Sequence, residues 1–149
     1  MAVPYPALAS LAKQYQAELA GKIVVDITNP LNFETWDELV VPADSSAAQQ
    51  LQKLLPESKV LKAFNNNFAA TLQSGKIGEL PTTVLVAGDD EDAKAAFKSV
   101  LASSALRVLN ASKLKRAREM KATGFLQMTL AASEQIGWDG GFGVVGANK

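Results

Sequence analysis

VVDITNPLN, residues 24–32, is the stretch on which the reading of this chain turns. A β-branched apolar run ends on Asp26 and is broken by Thr28-Asn29-Pro30, the pattern of a strand that stops abruptly on polar side chains. Asn29 brings two donors and an acceptor to that strand end, suited to a ribose hydroxyl or a carboxamide. Asn and Pro are also common turn formers, so a plain turn stands beside the site reading.

Upstream, Pro6 can open a helix, and Leu8, Leu11, Ala12, Tyr15 and Leu19 recur at helical spacing until Gly21 stops it. KIVVDIT then reads as a strand buried on both faces. Downstream, residues 29–44 look irregular between Pro30 and Pro42. SAAQQLQKLL follows as a helix with Ser46 and Gln49 spaced for a capping box.

KVLKAF is a second strand, with a short helical piece from Asn67 to Gln73 and a Gly75/Gly78 loop behind it. TTVLVAG is a third strand, and Asp89 and Asp90 stand where acids favour the start of the next helix, EDAKAAFKSVLAS. LRVLNA is a fourth strand, and residues 113–136 form a long helix striped with Ala117, Met120, Gly124, Met128 and Ala131. A Gly140-Gly141 turn and FGVV close the chain.

Strands alternating with helices predict an α/β fold in one domain over residues 1–149, with a mostly parallel sheet, flanking helices and a long C-terminal helix. In such sheets ligands bind beyond the carboxyl ends of the strands. The ends to examine are Val3-Pro4-Tyr5, Thr28-Asn29-Pro30, Phe64-Asn65-Asn66 and Ala87-Gly88. KAFNNN repeats the logic of the opening stretch, so Asn29 and Asn65 are expected at neighbouring strand termini, where two amides suit an uncharged planar group. Asn65 could also cap the next helix.

Composition narrows the chemistry. Lys plus Arg equals Asp plus Glu at 15 each, so no excess charge points to nucleic acid or an anionic membrane. The chain has no cysteine and no histidine, which removes disulfides, thiol nucleophiles, imidazole triads and Cys/His metal sites. No apolar stretch is long enough to span a bilayer, and the start has no signal-peptide pattern, so a cytoplasmic protein is expected. Lys62 and Asp26 read as structural or loop-ordering residues, LKRAREMK (114–121) as a solvated helical face, and the small-residue stripe as core or dimer interface.

Taken together, AVPYPAL, GKIVVDITNPLN, SSAAQQLQKLLPESKVLKAFN and TTVLVAGDDEDAK resemble the NADP oxidoreductase family dependent on coenzyme F(420), in particular its small bacterial dinucleotide-binding members. The resemblance implies a Rossmann-like NADP-binding domain, with NADP as cofactor and a deazaflavin, a flavin or another small redox molecule exchanging hydride with it. It puts Val3 and Pro4 along the cofactor and Thr28, Asn29, Pro30 and Asn65 near the nicotinamide and the acceptor. No catalytic side chain is implied, because the cofactor carries the chemistry.

The family opens on a strand, a G-x-G-x-x-G turn and a helix that cradles the pyrophosphate. Neither Gly75/Gly78 nor Gly137 to Gly146 sits between a strand and a helix in that way. The expectation is a chain matching the C-terminal part of a Rossmann-like domain, with Ala2-Val3-Pro4 closing a strand that lies outside it, weak dinucleotide affinity and an exposed sheet edge that promotes a homo-oligomer. The alternative is a non-catalytic structural or oligomerisation module derived from the family.

Overall fold

The computed structural model describes residues 1–146. Helix α1 (Tyr5–Gln14) carries Pro6 in its first turn, where a missing N–H costs nothing, and buries Leu8 and Ala12. The expected single helix to Gly21 is interrupted at Tyr15, and a short α2 (Gln16–Leu19) finishes it before Gly21 turns the chain at φ +71°. Strand β1 (Ile23–Asp26) follows. It is covered less completely than its apolar sequence implied, because it lies at the sheet edge with Ile23 exposed and Val25 half-buried.

Helix α3 (Ala47–Leu54) begins at Ser46, whose Oγ accepts from the Gln49 N–H. The return bond of a full capping box is replaced by a direct Ser46–Gln49 side-chain contact. Strand β2 (Lys59–Ala63), α4 (Ala69–Ser74), strands β3 (Lys76–Ile77) and β4 (Leu80–Pro81), and strand β5 (Thr83–Gly88) come next. The Gly75/Gly78 loop is thus a tiny hairpin. Helix α5 (Glu91–Val100) is capped by Asp90, strand β6 spans Arg107–Asn110, and after a 3₁₀ turn at Leu114–Arg116 the long α6 runs over Ala117–Ala132. All five stripe residues of α6 are buried.

The main sheet has the order β1-β2-β5-β6, with β1/β2 and β5/β6 parallel and β2/β5 antiparallel. It is therefore a mostly parallel mixed sheet with helices on both faces, as the alternation of elements predicts. One core joins α1, α3, Val24, Val60, Leu114 and Ala117; a second joins Leu61, Ala63, Val84, Val86 and α5 on the other face. A third, smaller cluster of Leu31, Phe68, Met128 and Ala131 fixes α6 and the 31–41 loop at one end of the sheet.

The antiparallel pair moves one expected site. Leu61 pairs with Gly88 and Ala63 with Val86, so Ala87-Gly88 lies at the end of the sheet opposite Asn65. Gly88 serves packing there, since a Cβ would stand 2.3 Å from Leu61 Cδ2. Residues 1–4 form no strand of their own. Met1 nevertheless lies along β1 and exchanges backbone hydrogen bonds with Val25 and Ile27.

Candidate functional site

The site grows from the register of β1 and β2, which sets Asp26 directly opposite Lys62. Lys62 Nζ is 2.9 Å from Asp26 Oδ2 and also donates to the Thr28 carbonyl, while Asp26 Oδ1 accepts from the Thr28 N–H at 3.0 Å. Both side chains are essentially inaccessible. Burial pushes the Lys62 ammonium below the usual lysine range, and the Asp26 carboxylate works against that shift. The pair grips both backbone groups of Thr28 and leaves its side chain free.

Thr28 and Asn29 line an open pocket of about 300 Å³ together with Ala2, Val3, Pro4, Tyr5, Ile27 and Phe33. Pro4 ends the segment that enters α1, and its carbonyl accepts from the Ala7 N–H. The Tyr5 hydroxyl is committed to Gln50 Oε1 at 2.6 Å. By contrast, Thr28 Oγ1 and Asn29 Oδ1 are buried and have no hydrogen-bond partner among the described residues. Unsatisfied buried polar atoms are costly, so the two residues that hold them beside this pocket make it the candidate site.

Four of the six residues expected at the cofactor, Val3, Pro4, Thr28 and Asn29, thus meet in one pocket. Pro30 is fully buried in the turn, outside the pocket lining, and its carbonyl accepts from the Val40 N–H. Asn65 stands beside Asn29 at the neighbouring strand terminus, as expected, but its side chain is buried, does not line the pocket, and donates from Nδ2 to the Met120 carbonyl of α6. Nor does it cap a helix, since the residue capping α4 is Phe68 and no side chain bonds there.

The chain brings Asn65 under α6 through Phe64, which takes a left-handed φ of +65° and is anchored edge-to-face on Phe97. Asn65 still touches the site indirectly, because its carbonyl accepts from Asn29 Nδ2 at 3.4 Å. The turn and site readings of Asn29 therefore coexist. Its nitrogen serves the fold, and its oxygen, beside Gly124 of α6, has no hydrogen-bond partner among the described residues.

A larger cleft, about 460 Å³, lies between α2 and the end of α3. Gln16 Nε2 there bonds to the Leu54 carbonyl and Ser58 Oγ to the Leu19 carbonyl, and no lining residue holds a buried side-chain atom without a partner among the described residues. The basic run of α6 divides in two. Arg116 and Arg118 pair with Glu119, as a solvated face would, whereas Lys121 is buried and donates to the carbonyls of Pro42 and Ser45.

Residues 141–146 spell G-x-G-x-x-G, yet they run as irregular chain after α6 and open no helix among the described residues. Phe142 N–H there donates to Gln127, and the Val144 carbonyl accepts from Arg107. They do not form a phosphate cradle of the strand-turn-helix kind.

Phe33 was not singled out in the sequence. The signal was present in NFETWDE, where aromatic residues stand among polar ones in a loop. Among the described residues no group of acids could hold a metal, and no helix is long and apolar enough to cross a membrane.

No family model matches the chain. Over 97 residues it is 40% identical to the F(420)-dependent NADP reductase of Methanocaldococcus jannaschii, a match covering 63% of this chain and 43% of that protein. Over 118 residues it is 36% identical to the metalloreductase STEAP3 of Rattus norvegicus, covering 79% of this chain and 22% of that protein. The chain thus spans less than half the length of either curated relative.

Among solved structures, the chain matches an Arthrobacter sp. fb24 protein described as an F(420)-dependent NADP reductase, with a TM-score of 0.85 and 28% identity over 97% of this chain and 67% of that one. It matches a hypothetical protein of Sinorhizobium meliloti with a TM-score of 0.67 and 26% identity, over 76% of this chain and 55% of that one. Collinear identity over 97 residues and a TM-score of 0.85 point the same way: the chain is a relative of the coenzyme F(420)-dependent NADP reductases.

Proposed function

We propose that the pocket at Val3, Pro4, Thr28 and Asn29 receives the nicotinamide end of NADP(H), and that the protein takes part in hydride transfer between this cofactor and a flavin-like, deazaflavin or other small acceptor. The observation that carries the reading is that Thr28 and Asn29, both lining that pocket, each hold a buried side-chain oxygen, Oγ1 and Oδ1, with no hydrogen-bond partner among the described residues. A carboxamide offers an N–H₂ group and a carbonyl, the complements of an amide oxygen and a hydroxyl. The relatives' names, F(420)-dependent NADP reductase and metalloreductase, support a redox role.

The bound nicotinamide would supply a hydride, two electrons and a proton, to the acceptor and be oxidised in doing so. The chain's own part is to bind, orient and exclude water. Alignment of this kind needs no acid or base in the pocket, which agrees with a protein that has no histidine or cysteine.

NADPH oxidation with a flavin acceptor tests the proposal, with Asn29→Ala and Asn65→Ala compared and oligomer size measured alongside. Turnover lost in Asn29→Ala with assembly intact supports the reading. A wild-type chain that forms a stable homo-oligomer and neither binds NADPH nor turns it over supports the second reading, a non-catalytic module. That alternative draws on Asn65, whose amide nitrogen bonds to α6 and which does not line the pocket.

A further inference from the structure

We infer that the exposed ring of Phe33 is a stacking platform for a planar heteroaromatic ring bound in the pocket it shares with Pro4, Thr28 and Asn29. The inference rests on the redox reading of that pocket and adds to it a residue that selects ring-bearing ligands.

Phe33 is 57% exposed, unusual for a phenyl group that lines a pocket with nothing in the fold to cover it. Its orientation is nevertheless fixed from behind. Phe33 packs edge-to-face on Trp36 at 5.3 Å, Trp36 on Trp138 at 6.0 Å, and Trp138 on the buried Phe68 at 5.0 Å. A line of four rings therefore connects the pocket wall to the core.

The loop that carries Phe33 is equally braced. Asn32 Oδ1 accepts from the Glu34 N–H, the Asn32 N–H donates to the Glu38 carbonyl, and a Leu31–Leu39 bridge closes the ends, as in a compact Ω-loop. Trp36 is held at a left-handed φ of +56°, a costly conformation for a bulky residue and one that marks sites where position matters. A rigid aromatic face on one wall and unpartnered polar atoms on Thr28 and Asn29 suit a flat ring with polar substituents.

Both rings of the proposed redox pair, nicotinamide and the acceptor's ring system, have this chemistry. Nicotinamide mononucleotide and riboflavin serve as separate probes. The chain has two tryptophans, and both stand in the brace behind Phe33, so tryptophan emission reads out occupancy of this wall.

Saturable quenching by either probe is expected, with affinity about tenfold weaker in Phe33→Ala and Phe33→Leu and recovered in Phe33→Tyr. Response to riboflavin assigns the platform to the acceptor, and response to the mononucleotide assigns it to the cofactor. Quenching by neither probe, or equal affinity in wild type and Phe33→Leu, overturns the inference.

NADPH oxidation with riboflavin as the hydride acceptor is measured in the same variants. Ring binding that depends on Phe33 without any turnover would leave the platform standing and remove the hydride-transfer reading. Turnover with ring binding indifferent to Phe33 would do the reverse.

Discussion

The ammonium of Lys62 lies 2.9 Å from the carboxylate of Asp26, directly across the paired strands β1 and β2, and the two together grip the backbone of Thr28 from both sides. Neither side chain reaches solvent. Such a pair adds little net stability, yet loss of one member strands the other. Lys62→Met should therefore cost about 3–5 kcal/mol, whereas Lys62→Met with Asp26→Leu should cost clearly less, because no buried charge remains unpaired. Urea unfolding of the three proteins measures this. Equal losses in the single and double variants would show that the pair does not act as a unit.

Gly124 permits the close seat of α6 on the strand ends. A Cβ at that position would stand 2.8 Å from the Asn65 carbonyl oxygen, 3.0 Å from Asn65 Nδ2 and 3.3 Å from Asn29 Oδ1. Alanine improves helix propensity by about 1 kcal/mol, but here the nearest obstacle is backbone that cannot swing aside. Gly124→Ala should destabilise by about 1–3 kcal/mol net. It should also shift Asn29, so NADPH binding is expected to weaken in the same variant. A rise in melting temperature would show that α6 can move outward without penalty.

Acid should weaken the α5 end of the sheet. The Asp90 carboxyl is held below the usual aspartate range first by the Ala93 N–H it accepts from as helix cap, then by Lys59 at 3.1 Å. A depressed carboxyl contributes stability that is complete above its unfolded value and is lost as pH falls through the folded one. The loss therefore begins below the ordinary value of 3.8. Asp90→Ser keeps a competent cap but removes the charge. Its melting temperature should lie slightly below wild type at neutral pH and fall less steeply in acid, so that the two converge. An identical acid slope in both proteins would assign the pH dependence to other carboxyls.

Local pattern revealed the elements because their signals are local: Ser46 and Asp90 cap the helices they precede, and VVD, VLKA and VLVAG are strands. The direction of β5 was not legible in the same way. A return to parallel pairing needs a crossover that spans the sheet, and α4 is six residues, about 9 Å long. The chain instead stays at one end, where Asn67 Nδ2 bonds to the Thr83 carbonyl and Thr82 Oγ1 to the Thr71 carbonyl, and β5 runs back antiparallel. Ala87-Gly88 is carried to the far end as a result.

The strand-end geometry was legible in the sequence. Thr28 and Asn29 stand at a break that sequence alone marks, and they meet Val3 and Pro4 as expected. The side-chain setting of Asn65 and the brace behind Phe33 were not legible, because they depend on partners remote in the chain, Met120 and Gly124 on α6 for one and Trp138 for the other. No spacing rule connects residues so far apart in the chain.

Thr28 gives the sharpest separation of fold from function. Its backbone is fully engaged, its side chain is 4% exposed residue surface, and its hydroxyl has no partner among the described residues. Valine has nearly the same shape without the hydroxyl. If the hydroxyl is reserved for a ligand, Thr28→Val should raise the stability of the free protein by about 1 kcal/mol, since an unsatisfied buried group is removed. The same variant should bind NADPH about five- to tenfold more weakly, the worth of one hydrogen bond. Opposite signs for stability and affinity are the signature of a group kept for binding. A stability loss in Thr28→Val would instead mean that the hydroxyl is already satisfied within the fold, and the pocket would then have only Asn29 to recognise a carboxamide.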